Sequence, residues 1–278
     1  MNITEFTLLV WAGSLFAGLL GSLTGLGGGV VIVPLLTLVF GVDIRYAVGA
    51  SLVSVIATSS GAAAAYVKEG FSNIRIGMFL EIATTLGALL GAFLAAKIPT
   101  GAIAVIFGAM LLYSAYLSSS SHQDQGQNGP ADPLAAKLRL NGSYPGEQGN
   151  AAYQVHNVPI GFGVMFGAGT LSGLLGIGSG AVKVLAMDQA MKVPFKVSTT
   201  TSNFMIGVTA VASAGIYLDR GYIDPGLAMP VMLGVLMGSL LGAKILPRAE
   251  TRVLRWVFGA VIALLGVEMI YSGITGKL

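Results

Sequence analysis

The chain is 278 residues long, 54% hydrophobic and only 10% charged, with a formal net charge of +3 and no cysteine. Soluble domains carry about 25% charged residues, so that class is excluded and a lipid bilayer is the expected partner. The lack of a basic cluster argues against nucleic acid, and the absence of cysteine removes disulfides, thiol nucleophiles and Cys metal sites.

The N-terminus, Met1-Asn-Ile-Thr-Glu5, has no basic n-region, so its apolar run is expected to persist as the first span. Apolar runs fall at about 6–23, 29–40, 45–67, 74–96 and 100–118, then at about 159–175, 180–191, 197–218, 223–243 and 253–273. Most reach the roughly 20 residues that cross a bilayer, but the second run of each half is too short. Between the halves, residues 119–158 are polar and turn-rich, as in Gln123-Asp-Gln-Gly-Gln-Asn-Gly-Pro130 and Asn141-Gly-Ser-Tyr-Pro-Gly146. This reads as a linker, which divides the chain into an N-terminal membrane repeat (1–118), a cytoplasmic linker (119–158) and a C-terminal membrane repeat (159–278).

Each short run follows a glycine-rich break. Thr24-Gly-Leu-Gly-Gly-Gly29 returns as Leu175-Gly-Ile-Gly-Ser-Gly180, and a shift of 151 positions (176 minus 25) aligns the two. The same gapless shift pairs Val31 with Val182, Ser51 with Ser202, Thr58 with Thr209, Tyr66 with Tyr217, Gly87 with Gly238 and Gly91 with Gly242. Such a register points to duplication. Interrupted apolar segments at matching places in two repeats mark a secondary transporter's binding site, because a broken helix exposes backbone groups at membrane depth.

Two topologies compete. Five segments per half put Lys68, Arg75, Lys137, Arg139, Lys192, Lys196, Lys244, Arg248, Arg252 and Arg255 on one side and Arg45, Lys97, Arg220 and Lys277 on the other. Re-entrant short segments, with four crossings per half, give a more even split. The positive-inside rule favours the first. The expected fold is therefore an all-α polytopic membrane protein of two repeats in inverted topology, five plus five, with the linker inside and both termini outside.

Candidate substrate-binding residues begin with the break positions Gly25, Gly27, Gly28, Gly29, Gly176, Gly178, Ser179 and Gly180, whose amides could face an anion. Glycines spaced by four, such as Gly87 and Gly91 or Gly234, Gly238 and Gly242, read instead as a packing seam. Lys183 lies three residues past the second break, and an ammonium at that depth marks a substrate path or else snorkels to the interface. Ser51, Thr201, Ser202 and Asn203 could supply hydroxyl and amide donors, although Ser and Thr also bond back to helix carbonyls without any further role. Glu81 is the acidic residue well inside a long span and is the candidate ion-coupling group. Asp43 and Asp224 read as helix caps.

Enzyme readings fail on residue content. His122 and His156 lie in the linker, so neither a His metal site nor a His base is expected within the spans. No Walker P-loop occurs, and no cofactor is implied.

Gly25-Leu-Gly-Gly-Gly-Val-Val-Ile-Val-Pro34, Gly176-Ile-Gly-Ser-Gly-Ala-Val-Lys-Val184 and Ser198-Thr-Thr-Thr-Ser-Asn-Phe-Met-Ile206 together resemble the sulfite exporter TauE/SafE family, also called toluene sulfonate uptake permeases. The resemblance implies movement of small sulfur-containing anions, such as sulfite, thiosulfate or organosulfonates, across the bacterial inner membrane. This chain departs from the commoner pattern at Ser179, where glycine is usual, and at Leu185, where the first half has Pro34. From the residues alone, a carboxylate or amino-acid carrier, a passive anion channel and a homodimer remain open.

Overall fold

The computed structural model describes residues 2–24, 29–68, 72–119, 132–146, 149–245 and 251–277. In the first half, α1 (Ile3–Thr24) precedes a short α2 (Gly29–Pro34) that runs into a π-helical turn, Leu35–Val39; α3 (Ile44–Lys68), α4 (Ile74–Ala95) and α5 (Thr100–Ser119) follow. The second half repeats this order: α7 (Val158–Leu175), a short α8 (Gly180–Leu185) with its π turn Ala186–Ala190, α9 (Phe195–Asp219), α10 (Pro225–Ile245) and α11 (Thr251–Thr275). Every apolar run read from the sequence is a helix, displaced at its ends by a few residues.

Hydrocarbon is the medium these helices are built for. On α4, Met78, Ile82 and Leu86 are exposed at helical spacing, while Leu80, Ala83, Thr84 and Ala88 on the opposite face are buried. A helix in water would present a polar outer face; the outer face of this one is apolar, and its polar Glu81 and Thr84 are buried. Among the described residues, α4, α7 and α9 are long and apolar enough to cross a membrane, and α1, α3, α5, α10 and α11 extend over 22, 25, 20, 21 and 25 residues.

Helices pair across the halves. The principal partners are α1 with α10, α4 with α7, α5 with α11 and α3 with α9. The 151-residue shift carries the first of these pairs onto the second and returns each of the last two onto itself. The match holds at atomic detail. A Cβ added at Gly169 would lie 2.7 Å from Thr84 Cα, and one at Gly18 would lie 2.7 Å from Val235 Cα. Likewise a Cβ added at Gly87 would lie 2.9 Å from Thr170 N, and one at Gly238 would lie 2.8 Å from Leu19 N. The glycines let backbones touch, as the packing-seam reading expects; the surroundings of Gly242 lie outside the described residues.

The short segments are placed by their far ends. His156 N donates to Met191 O at 3.0 Å and Asn157 Nδ2 donates to Ala190 O at 3.2 Å, so the α8 segment returns to the end of the molecule where α7 begins. At the opposite end, Arg45 reaches Ala95 O and Ile98 O, Arg220 reaches Ala92 O at 2.9 Å, and Lys97 lies over Phe93. Three of the four basic residues that the five-segment census separated from the linker thus gather around the C-terminal end of α4.

The polar stretch between the halves was expected to be turn-rich, and it holds more structure than that. α6 (Pro133–Lys137) and a hairpin of β1 (Gly142–Gly146) and β2 (Gly149–Tyr153) form within it. Ala135, Leu140, Tyr153 and Val155 are buried against Ile76 and Leu80 of α4 and Met187 and Met191 beyond α8. Asp132 caps α6 at Leu134 N and also accepts from Val158 N, both at 2.8 Å. Asn73 N-caps α4 and donates to Tyr153 Oη at 2.6 Å and Leu140 O at 3.0 Å. Burial pushes the Tyr153 phenol above its ordinary pKa, and the Asn73 bond offsets part of that shift.

Candidate functional site

Gly29, where the first short helix begins, lies against Gly176 of the second break inside the protein. A Cβ placed on Gly29 would lie 2.7 Å from Ser51 Oγ, 2.9 Å from Val55 Cγ2 and 3.4 Å from Gly176 O. Ser51 Oγ itself donates to Gly176 O at 2.8 Å, so a hydroxyl from α3 holds a carbonyl freed by the opposite break. In the second half, Ser202 Oγ donates to Gly180 O at 3.2 Å, and a Cβ on Gly180 would meet Ile206 Cδ1 at 2.7 Å. Ser51 and Val55 correspond to Ser202 and Ile206 under the shift, so each short helix begins against the same pair of side chains.

Chain reversal at the second break needs left-handed backbone. Gly176 and Gly178 have φ of 68° and 70°, and Ser179 has φ of 44°. Glycine adopts this region freely, whereas a side chain there costs about 1 kcal/mol. Ser179 also buries its Oγ with no hydrogen-bond partner, and such an orphan costs about 1–3 kcal/mol. Strain and an unsatisfied donor coincide at one residue, a pattern that leads from an outlier to a functional hypothesis. Residues 176–180 are all buried, so this conformation closes the break off from solvent.

A second polar cluster lies one turn into α8. Lys183 is 0% exposed and donates from Nζ to Thr209 Oγ1 at 2.5 Å. Thr209 Oγ1 lies 2.7 Å from Glu81 Oε1 on α4, with Thr85 Oγ1 3.2 Å from the same oxygen. Glu81 Oε2 is buried and accepts nothing. Lysine and glutamate therefore compensate each other through one hydroxyl, across α8, α9 and α4. Snorkelling is excluded for Lys183 by its burial.

Other candidates are placed apart. Thr201 accepts from Asn73 N at 3.0 Å, tying α9 to the loop before α4 rather than to the break. Asn203 is half-buried on the α9 face that includes Gly207, whose added Cβ would meet Ser59 of α3. Gly25, Gly27 and Gly28 lie outside the described residues. Asp43 and Asp224 accept from Arg45 N and Gly226 N at 2.8 and 2.6 Å, as capping residues do. Among the described residues no cluster of His, Asp or Glu could hold a metal.

The sequence that builds this bundle matches a known family. The pattern of the sulfite exporter TauE/SafE family covers residues 10–269. The chain belongs to that family. It is 29% identical over 277 residues to the probable membrane transporter protein YunE of Bacillus subtilis (strain 168), covering 97% of this chain and 99% of that one. It is 26% identical over 268 residues, 91% of each chain, to the probable membrane transporter protein MJ0441 of Methanocaldococcus jannaschii. No solved structure matches it.

For this TauE/SafE protein, sequence reading missed Thr209 as the bridge between Lys183 and Glu81. Thr209 lies seven residues beyond Ser202, hence on the same helix face, and that spacing was a usable signal. Its bond to Glu81, 128 residues away in sequence, was not readable.

Proposed function

We propose that this chain is a secondary transporter, of exporter type, for small sulfur-containing anions such as sulfite, thiosulfate or organosulfonates. It would work in the bacterial inner membrane by alternating access, with residues 1–118 and 159–278 as inverted repeats joined through a cytoplasmic 119–158. The observation that carries this reading is the bond from Ser51 of one half to Gly176 O in the glycine break of the other, beside the start of the first short helix at Gly29. In this reading the second break and its partner side chains would lie between the two repeats, and rocking of one repeat against the other would expose the same site to either side.

Break residues that are buried on all sides fit an occluded stage of such a cycle. Ser179 Oγ supplies a donor without a partner, and α9 adds Ser202 at the mouth of α8. Family membership supports the sulfur-anion class, and the relatives' names support transport.

The test is reconstitution of the full chain into proteoliposomes, with labelled sulfite, thiosulfate and methanesulfonate followed under imposed pH, sodium and voltage gradients. Gradient-driven accumulation of a sulfur anion is the expected result. Flux that only dissipates its own gradient would make the protein a passive channel. Preference for acetate or an amino acid over every sulfur anion would make it a carboxylate carrier.

A further inference from the structure

The shift that superimposes the repeats does not superimpose their charges. Lys183, Thr209 and Glu81 correspond to Ile32, Thr58 and Met232. Ile32 is fully buried, and Thr58 and Thr209 alike bond back to their own helices, at Ser54 O (3.0 Å) and Met205 O (2.9 Å), so the halves differ here in charge and not in the threonine. The helices that carry them pair alike in the two halves, α2 with α3 and α10 with α3 as α8 with α9 and α4 with α9, so the bundle has two matching places for a charged relay and fills one.

The filled place is electrically balanced but incompletely bonded. Lys183 is the charged group facing Glu81 among the described residues; Thr84, Thr85 and Thr209 face it with hydroxyls, and α7, packed along α4, carries no titratable side chain. Glu81 Oε2 accepts from nothing and is the open seat for a proton. Lys183 stems from α8 one turn past the break, its backbone N–H donating to Ser179 O at 3.1 Å while its ammonium serves Thr209 and Glu81, so one short helix carries both the break and the charge.

Net charge then decides which states are cheap. An uncompensated buried charge costs several kcal/mol. The empty site with Glu81 ionised and Lys183 charged is neutral. The site with Glu81 protonated, Lys183 charged and a monovalent anion bound is neutral as well. The two mixed states each hold one unbalanced charge.

The geometry points to a single proton switch made by Glu81, Thr209 and Lys183, in which one proton on Glu81 releases Lys183 to one monovalent anion at the Gly176–Gly180 break. Proton and anion travel together, one to one and without net charge, because the second repeat position holds no charge; export then runs down the anion's own outward gradient. The proton comes from hydronium: one of its O–H bonds breaks as the Oε2–H bond of Glu81 forms, and water is left. Thr209 is the positioning residue, since its oxygen receives Lys183 and its hydroxyl faces Glu81. This inference rests on the transporter reading above and adds its stoichiometry and substrate charge.

Proteoliposomes containing the full chain, a trapped pH dye and labelled methanesulfonate, an anion that stays monovalent, test it. One proton per methanesulfonate, with uptake unaffected by membrane potential, is expected. Glu81→Gln should exchange methanesulfonate while moving no protons and lose its dependence on external pH. Thr209→Val should lower the proton-to-anion ratio at least tenfold, and Thr209→Ser should restore it. Transport with no accompanying proton, two protons per anion, a Glu81→Gln protein that keeps the wild-type ratio, or preference for dianionic thiosulfate would each overturn the switch and leave the transporter reading intact. Failure of methanesulfonate, sulfite and thiosulfate alike to cross would remove the transporter reading and the switch with it.

Discussion

Lys183 Nζ and Thr209 Oγ1 lie 2.5 Å apart in the interior of the helix bundle, and the same threonine oxygen touches Glu81. Removing one member of a buried charge pair leaves the other uncompensated, at a cost of about 3–5 kcal/mol. Lys183→Met should therefore lower the thermal stability of the detergent-solubilised protein substantially. Lys183→Met combined with Glu81→Gln should recover most of that loss. Equal stability of the single and double variants would show that the two groups do not compensate each other.

Ser179 combines left-handed backbone with an unsatisfied hydroxyl. Ser179→Gly relieves both, so the variant should be more stable by about 1–2 kcal/mol. If the hydroxyl is a substrate donor, anion binding should weaken by about 1 kcal/mol in both Ser179→Gly and Ser179→Ala. Thermal-shift titration of wild type and both variants with sulfite and methanesulfonate checks the two effects separately.

Helix contact through glycine can be tested by contrast. A Cβ at Gly87 would collide with Phe166 O on α7, whereas Gly163, on the same α7, has nothing within 4 Å. Gly87→Ala should disrupt the α4–α7 pair and lower the yield of monodisperse protein. Gly163→Ala should be neutral or stabilising by up to about 1 kcal/mol, the helix propensity gain. Size-exclusion profiles and melting curves of the two variants decide the matter.

Topology is accessible because the chain has no cysteine. Ser143 in β1, Lys97 after α4 and Lys277 after α11 are exposed. Cysteine at Ser143 should react with an impermeant maleimide from one side of the membrane, and cysteines at Lys97 and Lys277 from the other. Labelling of the Ser143 and Lys277 cysteines from the same side would remove the five-segment arrangement.

Steric strain at the break predicts one more outcome. Gly178 has φ of 70°, and an added Cβ would lie 2.7 Å from Ile206 Cγ2. Gly178→Leu should abolish transport and destabilise the protein, while Ile206→Ala should recover part of the stability by opening that contact. Stability unchanged in Gly178→Leu would mean that the break tolerates a side chain.

Much of the architecture was legible in residue order, because hydrophobicity in a membrane chain is set locally. A run of about 20 apolar residues must be a helix to satisfy its own backbone, so the long spans and the two shortened ones followed from composition alone. Glycine spacing on α4 and α10 announced close helix contact for the same local reason, and the 151-residue register showed which segments correspond.

Partnerships between distant residues were decided only by tertiary structure. Lys183 could be singled out as an ammonium at membrane depth, yet its neighbours, Thr209 on α9 and Glu81 on α4, depend on how three helices cross. Thr201 looked like a donor for substrate and instead holds Asn73, because the loop before α4 folds over the end of α9. The β-hairpin within 119–158 was hidden in a turn-rich polar stretch, since Tyr153 and Leu140 find an apolar surface only where α4 and the segment beyond α8 end side by side. Local composition dictates that a segment is a helix in lipid, but which polar side chains meet depends on helix rotation and crossing, set by packing contacts spread over both halves of the chain.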